Sequence, residues 1–218
     1  MVKLQRSMEK PWLKDLPPLG KFRYIDLYAK GRTALDIGAG LGWCSDYLEK
    51  KEFEVTAFDL ENDLRFMNIK FIQGSVDHLP FANQSFDTVL AFDVLEHVKD
   101  EDQAWQGIAR VTKKRLIMSV PNSEDKILRR YNLTYKHHTD KSHYREYSLL
   151  EVKERLESSG FKVIYLDQQG PVDPVFIAQF LKPNAWAPFY ETAIRFFGKT
   201  GLIRNEHFFA DIYAVAEK

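Results

Sequence analysis

The chain has 218 residues, 44% hydrophobic and 28% charged, which suits one α/β domain with a sizeable core and excludes a disordered chain. Thirty-one basic residues balance 31 acidic ones, so no overall positive field points to nucleic acid as a partner. One cysteine, Cys44, rules out an internal disulfide and suits a reducing compartment; no stretch approaches the ~20 apolar residues of a membrane span, and the opening MVKLQRSMEKPW lacks the apolar core of a signal peptide, so the cytoplasm is the expected location.

Residues 1–20, with Pro11, Pro17 and Pro18, read as an irregular arm. KFRYIDLYAK (21–30) spaces Phe22, Ile25 and Tyr28 by three, with Leu27 near the same face, and predicts a short amphipathic helix ending at Gly31. TALDI is a buried strand, and GWCSDYLEKK is a helix with lysines in its last turn, where the helix dipole favours cations. FEVTAFD, IKFIQ and SFDTVLAFD follow as strands, the last dense enough in TVLAF to be buried on both faces. DEDQAWQGIARVT is helical, and RLIMSV is a fifth strand stopped by Pro121. SLLEVKERLESSG is a helix with Ser148 as N-cap, Glu151 three residues on and Gly160 as the stop. FKVIYLD and FFADIYAVAEK complete seven strands. The alternation of strand and helix predicts a parallel sheet covered on both faces, with ligands outside the carboxyl ends of the strands. Two stretches, 121–147 and 170–208, do not fit the alternation.

The loop ALDIGAGLGW (34–43) carries Gly38, Gly40 and Gly42 between a strand and a helix. Glycine permits positive φ and close approach of a ligand to the backbone, and the helix start offers free N–H groups to an anionic group. A phosphate and a carboxylate fit this description equally. The spacing is Gly-x-Gly-x-Gly, one residue tighter than the dinucleotide fingerprint. Asp59 ends the second strand 19 positions after Gly40, where a carboxylate can accept two hydrogen bonds from a ribose diol or serve as a helix N-cap. That diol belongs to NAD and to S-adenosylmethionine alike.

FIQGSVDHLPFANQSFDTVLAFDVLEHV (71–98), taken with LDIGAGLGW, AFDL and LIMSVPN (116–122), resembles the class I S-adenosylmethionine-dependent methyltransferases, and within them the broad group that includes the ubiquinone-biosynthesis O-methyltransferases. The resemblance spans roughly residues 33–167. It implies a single Rossmann-like, three-layer α/β domain over 1–218, with a seven-stranded, mostly parallel sheet whose last strand is antiparallel. It also implies roles. Asp36 and the loop Gly38, Ala39, Gly40 and Gly42 would hold the methionine end of S-adenosyl-L-methionine. Asp59 would take the ribose, Leu60 would pack on the adenine, and Gly74, Ser75 and Val76 would meet the adenine edge. Asp93 would lie near the methionine amino group or the acceptor. Two departures bear on the adenine side: Ser75 stands where the family usually has an acidic residue, leaving Ser75 or Asp77 to substitute, and the helix between the second and third strands must be brief or missing.

Methyl transfer from a sulfonium releases a neutral leaving group, so it needs alignment, plus removal of a proton when the nucleophile is a hydroxyl. His97, His138 and His143 are the candidates for that proton, and His97, His143 and Asp93 the expected catalytic set. In the resembling group an acidic residue followed three positions later by Glu-His is associated with a divalent metal, which here would use Asp93, Glu96 and His97. The alternative is that Glu96 and His97 only shape the loop after strand four. The loop 121–145 holds Lys126, Arg129, Arg130, Lys136, Lys141 and Arg145 against Glu124, Asp125 and Asp140 and suits an anionic small-molecule acceptor, or is a solvated loop. Segment 170–208 sets Trp186, Phe189, Tyr190, Ala193, Ile194 and Phe197 on one helical stripe, as core, homodimer contact, lid over a hydrophobic acceptor, or membrane-facing surface. Two other function classes stay in view: an NAD-linked oxidoreductase or epimerase, and a non-catalytic module that keeps the cofactor fold. Against the first stand the glycine spacing and the lack of a helical Tyr-x-x-x-Lys pair after the fourth strand; against the second, the intact loop with Asp59 and Asp93.

Overall fold

The computed structural model describes residues 17–123, 133–134, 141–171, 179–180, 189, 192–193, 196–197, 200 and 209–218. In chain order its elements are α1 (Leu19–Tyr28), β1 (Thr33–Ile37), α2 (Trp43–Glu49), β2 (Glu54–Asp59), β3 (Lys70–Gln73), β4 (Phe86–Phe92), α3 (Glu101–Val111), β5 (Thr112–Pro121), β6 (Leu133–Thr134), α4 (Leu149–Ser158), β7 (Lys162–Pro171), β8 (Gln179–Phe180) and β9 (Phe209–Glu217). Short 3₁₀ turns at Val76–His78 and Leu95–His97 follow β3 and β4.

Seven strands form one sheet in the order β3-β2-β1-β4-β5-β9-β7. All neighbours run parallel except β9, which is antiparallel to both β5 and β7. The expected fold class, a mostly parallel sheet with an antiparallel last strand in sequence, is what forms. β4 is buried along its whole length, as the centre of a sheet covered on both faces must be. α1 and α2 cover one face through Tyr24, Ile25, Cys44 and Leu48, packed on Ala34, Ala57, Leu90, Phe92 and Val215. α3 and α4 cover the other through Trp105, Ile108, Val152 and Leu156, packed on Leu35, Val89, Leu116 and Met118. Fully burying a leucine, isoleucine or valine such as Ile25, Leu48, Ile108, Val152 or Leu156 contributes about 1.5–3 kcal/mol over its exposed state.

Local chemistry explains the helix ends. Asp100 accepts a hydrogen bond from the Gln103 backbone N–H (3.2 Å) at the start of α3. Ser148 and Glu151 close the expected capping box on α4, each side chain accepting from the other's backbone. α1 begins two residues earlier than its pattern suggested, directly behind Pro17 and Pro18, and its buried side is Tyr24 and Ile25; Leu27, expected near the apolar face, is 61% exposed. Residues 60–69 form no helix. They wrap the β1–α2 loop, with the Arg65 N–H donating to the Leu41 carbonyl at 3.2 Å. Among the described residues the two outlying segments meet where Leu133–Thr134 pairs antiparallel with Gln179–Phe180.

Candidate functional site

The strand order reverses between β1 and β4, and the predicted loops gather at the carboxyl ends of these strands. The backbone at Gly38 (φ +69°) and Gly40 (φ +51°) is left-handed, which explains the residue type. A Cβ on Gly38 would fall 2.4 Å from Val94 Cγ2, so this loop packs directly on the turn after β4. A Cβ on Gly40 would meet nothing within 4 Å. The first glycine is there for packing and the second faces open room. The Gly40 N–H donates to Asp59 Oδ2 (2.8 Å), and the Leu60 N–H donates to Asp59 Oδ1 (2.6 Å). The Leu60 side chain is 63% exposed beside this carboxylate. Behind the loop Asp36 is buried and accepts from Ser45 Oγ at 2.6 Å. Burial pushes the Asp36 carboxyl up to about 6, against the hydrogen bond from Ser45.

On the next side the Gly74 N–H donates to the Asp59 carbonyl (2.9 Å), which seats the 74–76 turn against β2. Val76 is turned into the core and presents backbone only. The Ser75 hydroxyl and the His78 ring, each beside Asp77, hold the Asp77 carboxyl below its ordinary range. Both residues named as substitutes for the missing acidic position are therefore in contact with each other.

The far side of the loop is built on β4. Asp93 is a non-glycine residue at φ +57°, a conformation that aspartate tolerates better than most. Its carboxylate lies between β5 and α1, where Oδ1 accepts from Ser119 Oγ of β5 (2.5 Å) and Oδ2 from Lys21 Nζ of α1 (2.7 Å). Burial works to raise the Asp93 carboxyl, but Lys21 and Ser119 outweigh it and hold it below the ordinary range. Lys21 also lies over the Phe92 ring, 5.2 Å from its centroid. Asp211, at the start of β9, is pushed up to about 7 by burial and by Asp93, with Lys21 opposing. Lys21, Ser119, Val94 and Asp211 were not anticipated from sequence. Lys21 had a signal: it sits one turn before Tyr24 and Ile25, so a cation interrupts the buried stripe of α1.

Beyond Asp93, Glu96 is 1% exposed, and its Oε2 has no hydrogen-bond partner among the described residues. Burial and the nearby Asp93 push its carboxyl up to about 8. The His97 and His143 rings meet edge to face, centroids 4.6 Å apart, and His97 Nδ1 is 3.1 Å from Ser142 Oγ. Glu96, His97 and His143 bring potential metal-ligand atoms within 4.8 Å of one another. Asp93, the third residue of the set expected from sequence, is not among them; its oxygens are engaged by Ser119 and Lys21.

Of the basic residues on 121–147, Arg145 is spent on the protein itself, donating to the Val98 and Lys99 carbonyls and pairing with Glu101. Lys141 is exposed. Lys126, Arg129, Arg130, Lys136 and His138 lie outside the described residues, as do Trp186, Tyr190 and Ile194 of the aromatic stripe. Phe189 and Phe197 of that stripe are exposed.

Residues 35–118 match the family described as the methyltransferase domain. The chain is 31% identical over 131 residues to the uncharacterized methyltransferase YcgJ of Bacillus subtilis, covering 54% of this chain and 52% of the relative. It is also 31% identical over 114 residues to a ubiquinone biosynthesis O-methyltransferase of Paracidovorax citrulli, covering 47% and 44%. The chain thus spans about half the length of the curated relatives it matches. In architecture it is similar to a SAM-dependent methyltransferase from Archaeoglobus fulgidus, with a TM-score of 0.65 at 18% identity over 93% of this chain and 95% of that one.

Proposed function

We propose that the chain is a class I S-adenosylmethionine-dependent methyltransferase, a reading supported by the methyltransferase-domain match over residues 35–118, and that it moves a methyl group from S-adenosylmethionine to an oxygen or nitrogen of a small-molecule acceptor. One observation carries the choice of cofactor. The Gly40 amide, which a dinucleotide's pyrophosphate would need, is already bonded to the Asp59 carboxylate, and Asp36 and Asp93 stand close by. The carboxylates of Asp59 and Asp36, which unlike Asp93 have no ion pair with Lys21, repel phosphate and attract the ammonium and sulfonium of S-adenosylmethionine. The open room in front of Gly40 and the exposed Leu60 fit the same molecule.

The cofactor supplies an electrophilic methyl group whose departure leaves a neutral thioether. The chain's own residues align and deprotonate. Asp59 holds the ribose diol, and Asp36 and Asp93 orient the charged end, which fixes the line of attack. His97 or His143 takes the acceptor proton as the new bond forms, from a position beside the turn after β4. A hydroxyl acceptor suits this pair of imidazoles, and the similarity to an O-methyltransferase supports it. Segments 121–147 and 170–208 form the acceptor's wall; the pairing of Leu133–Thr134 with Gln179–Phe180 supports their acting together. No helix among the described residues is long and apolar enough to cross a membrane, and with one buried cysteine we place the reaction in the cytoplasm.

Calorimetric titration with S-adenosylmethionine, S-adenosylhomocysteine and NAD tests the reading. Binding of the first two and not the third is expected; NAD binding alone would overturn it. A second reading places a divalent ion on Glu96, His97 and His143, favoured by the 4.8 Å cluster. Turnover that falls in chelator and returns with Mg²⁺ or Zn²⁺ selects it, and turnover unaffected by exhaustive chelation rejects it.

A further inference from the structure

The histidine pair is assembled from two distant pieces of chain. His97 lies on the 3₁₀ turn after β4, whereas His143 lies on the stretch that leads into α4. Two separate loops at a strand end have no reason to hold two imidazoles edge to face unless something fastens them. Among the described residues, the side chain with the most bonds across the two loops is Arg145. Its Nη1 donates to the Val98 carbonyl (2.6 Å) and its Nη2 to the Lys99 carbonyl (3.1 Å), so one planar guanidinium bonds two successive carbonyls of the His97 segment. Its Nε pairs with Glu101 Oε2 (3.1 Å) in the first turn of α3. Glu101 is itself fixed, since its Oε1 accepts from Trp105 Nε1 (3.1 Å) and pairs with Arg155 Nε of α4 (3.2 Å). The guanidinium therefore ties the 141–147 stretch to the turn after β4 and, through Glu101, to both helices of that face.

The backbone agrees. The Tyr144 N–H donates to the Glu96 carbonyl (2.8 Å), and Tyr147, buried, bridges to Asn122 beyond β5. His143 is two residues from the guanidinium and one from the Tyr144 amide. We propose that Arg145 is a positioning residue for the methyl-transfer reaction, holding His143 edge-on to His97 beside Glu96 while touching neither cofactor nor acceptor. This rests on the functional reading above. It reassigns a cation that the sequence suggested for an anionic acceptor: all three faces of its fork are turned to protein. Lysine cannot replace it, because a single ammonium does not span two carbonyls and a carboxylate in one plane.

The test reads the histidine pair directly. In chelator, ¹H–¹³C correlation spectra of the imidazoles are assigned with His97→Gln and His143→Gln. In the parent chain each ring shifts the other's resonances; each single variant gives the unshifted position of the remaining ring. Arg145→Ala is expected to move His97 to its position in His143→Gln, and His143 to its position in His97→Gln. Affinity for S-adenosylmethionine by calorimetry should stay within about twofold, since the bonds of Arg145 go to Val98, Lys99 and Glu101 and to none of the residues assigned to that site. An unchanged mutual shift in Arg145→Ala overturns the proposal. Should that variant fail to fold, Arg145→Lys, which keeps the charge for Glu101, takes its place under the same criterion. A merely structural role lowers the unfolding midpoint without bringing the resonances to those positions. Failure of the cofactor reading is separate, because it appears as absent S-adenosylmethionine binding in the parent chain.

Discussion

Gly40 and Asp59 bear on the proposed cofactor site in different ways. At Gly40 the obstacle to a side chain is conformational, not steric: φ is +51° and the space ahead is empty. Gly40→Ala is therefore expected to fold, at a cost of about 1–2 kcal/mol for a left-handed alanine, and to lose at least about tenfold in S-adenosylmethionine affinity because its methyl enters the ligand's room. Asp59→Asn keeps the shape but replaces one acceptor oxygen, and should weaken the same binding with little change in the unfolding midpoint. Calorimetry beside a urea titration separates the two effects, and full affinity in both variants would refute the assignment. Asp36 gives a prediction in pH. Its folded carboxyl titrates at about 6 against an ordinary 3.8. Between those values the folded chain binds more protons than the unfolded one, so this group's contribution is complete below the ordinary value and declines as pH rises through about 6. The loss is roughly 3 kcal/mol at most. Asp36→Asn should flatten this decline, measured as urea unfolding free energy of the ligand-free protein from below 3.8 to above 6. An unchanged slope would mean that Asp36 ionises freely in the folded chain.

Among the elements, α4 makes its structural role most accessible. Its start rests on the reciprocal bonds of Ser148 and Glu151, and its buried side is Val152 and Leu156. Ser148→Ala should cost about 1 kcal/mol, seen as a lower urea midpoint with an unchanged slope; Ser148→Asp should recover most of it by accepting from the same N–H. No loss in Ser148→Ala would show that packing alone sets the helix start. Because Arg145 and Tyr147 immediately precede this cap, its fraying also loosens the stretch that carries His143. α1 has a different standing. Its Ile25 was recognisable as an apolar position, whereas Tyr24 was not singled out, and its contribution to the candidate site, Lys21 on Asp93, arises only when the helix packs against the sheet at β4 and β5.

For the molecule as a whole, β7 and β9 are adjacent and antiparallel, with Pro171 paired to Phe209. The chain that joins them thus has its two ends side by side, and a tight hairpin turn would connect the strands. Residues 172–208 are not needed for closure of the sheet. Replacing them with a two-residue turn is expected to leave the unfolding transition cooperative and S-adenosylmethionine binding intact while abolishing methyl transfer. Light scattering on the same variant reads the competing role: a fall from dimer to monomer with turnover retained would make the segment a subunit contact instead of an acceptor wall.

The order of strands and helices was legible because it depends on local pattern: the apolar density of TVLAF, the Ser148–Glu151 spacing, the glycines at 38, 40 and 42, and the acidic residue closing β2. So was the list of residues around the loop, since a strand end and the turn after it are neighbours in sequence. Partnerships between strand ends were not legible. Nothing in the sequence says that Val94 fills the space beside Gly38, that Lys21 neutralises Asp93, or that His143 meets His97 across more than forty residues. Nor does it say that Arg145 serves the fold and not a ligand, because an arginine in a polar loop looks the same in either role. Sequence by itself determined which segments become strands and helices and which residues stand at the strand ends, since backbone propensity and apolar periodicity act over a few residues. Only the tertiary structure decided which charges pair and which carboxyls stay protonated, because these depend on distance and burial across chain segments brought together by the sheet.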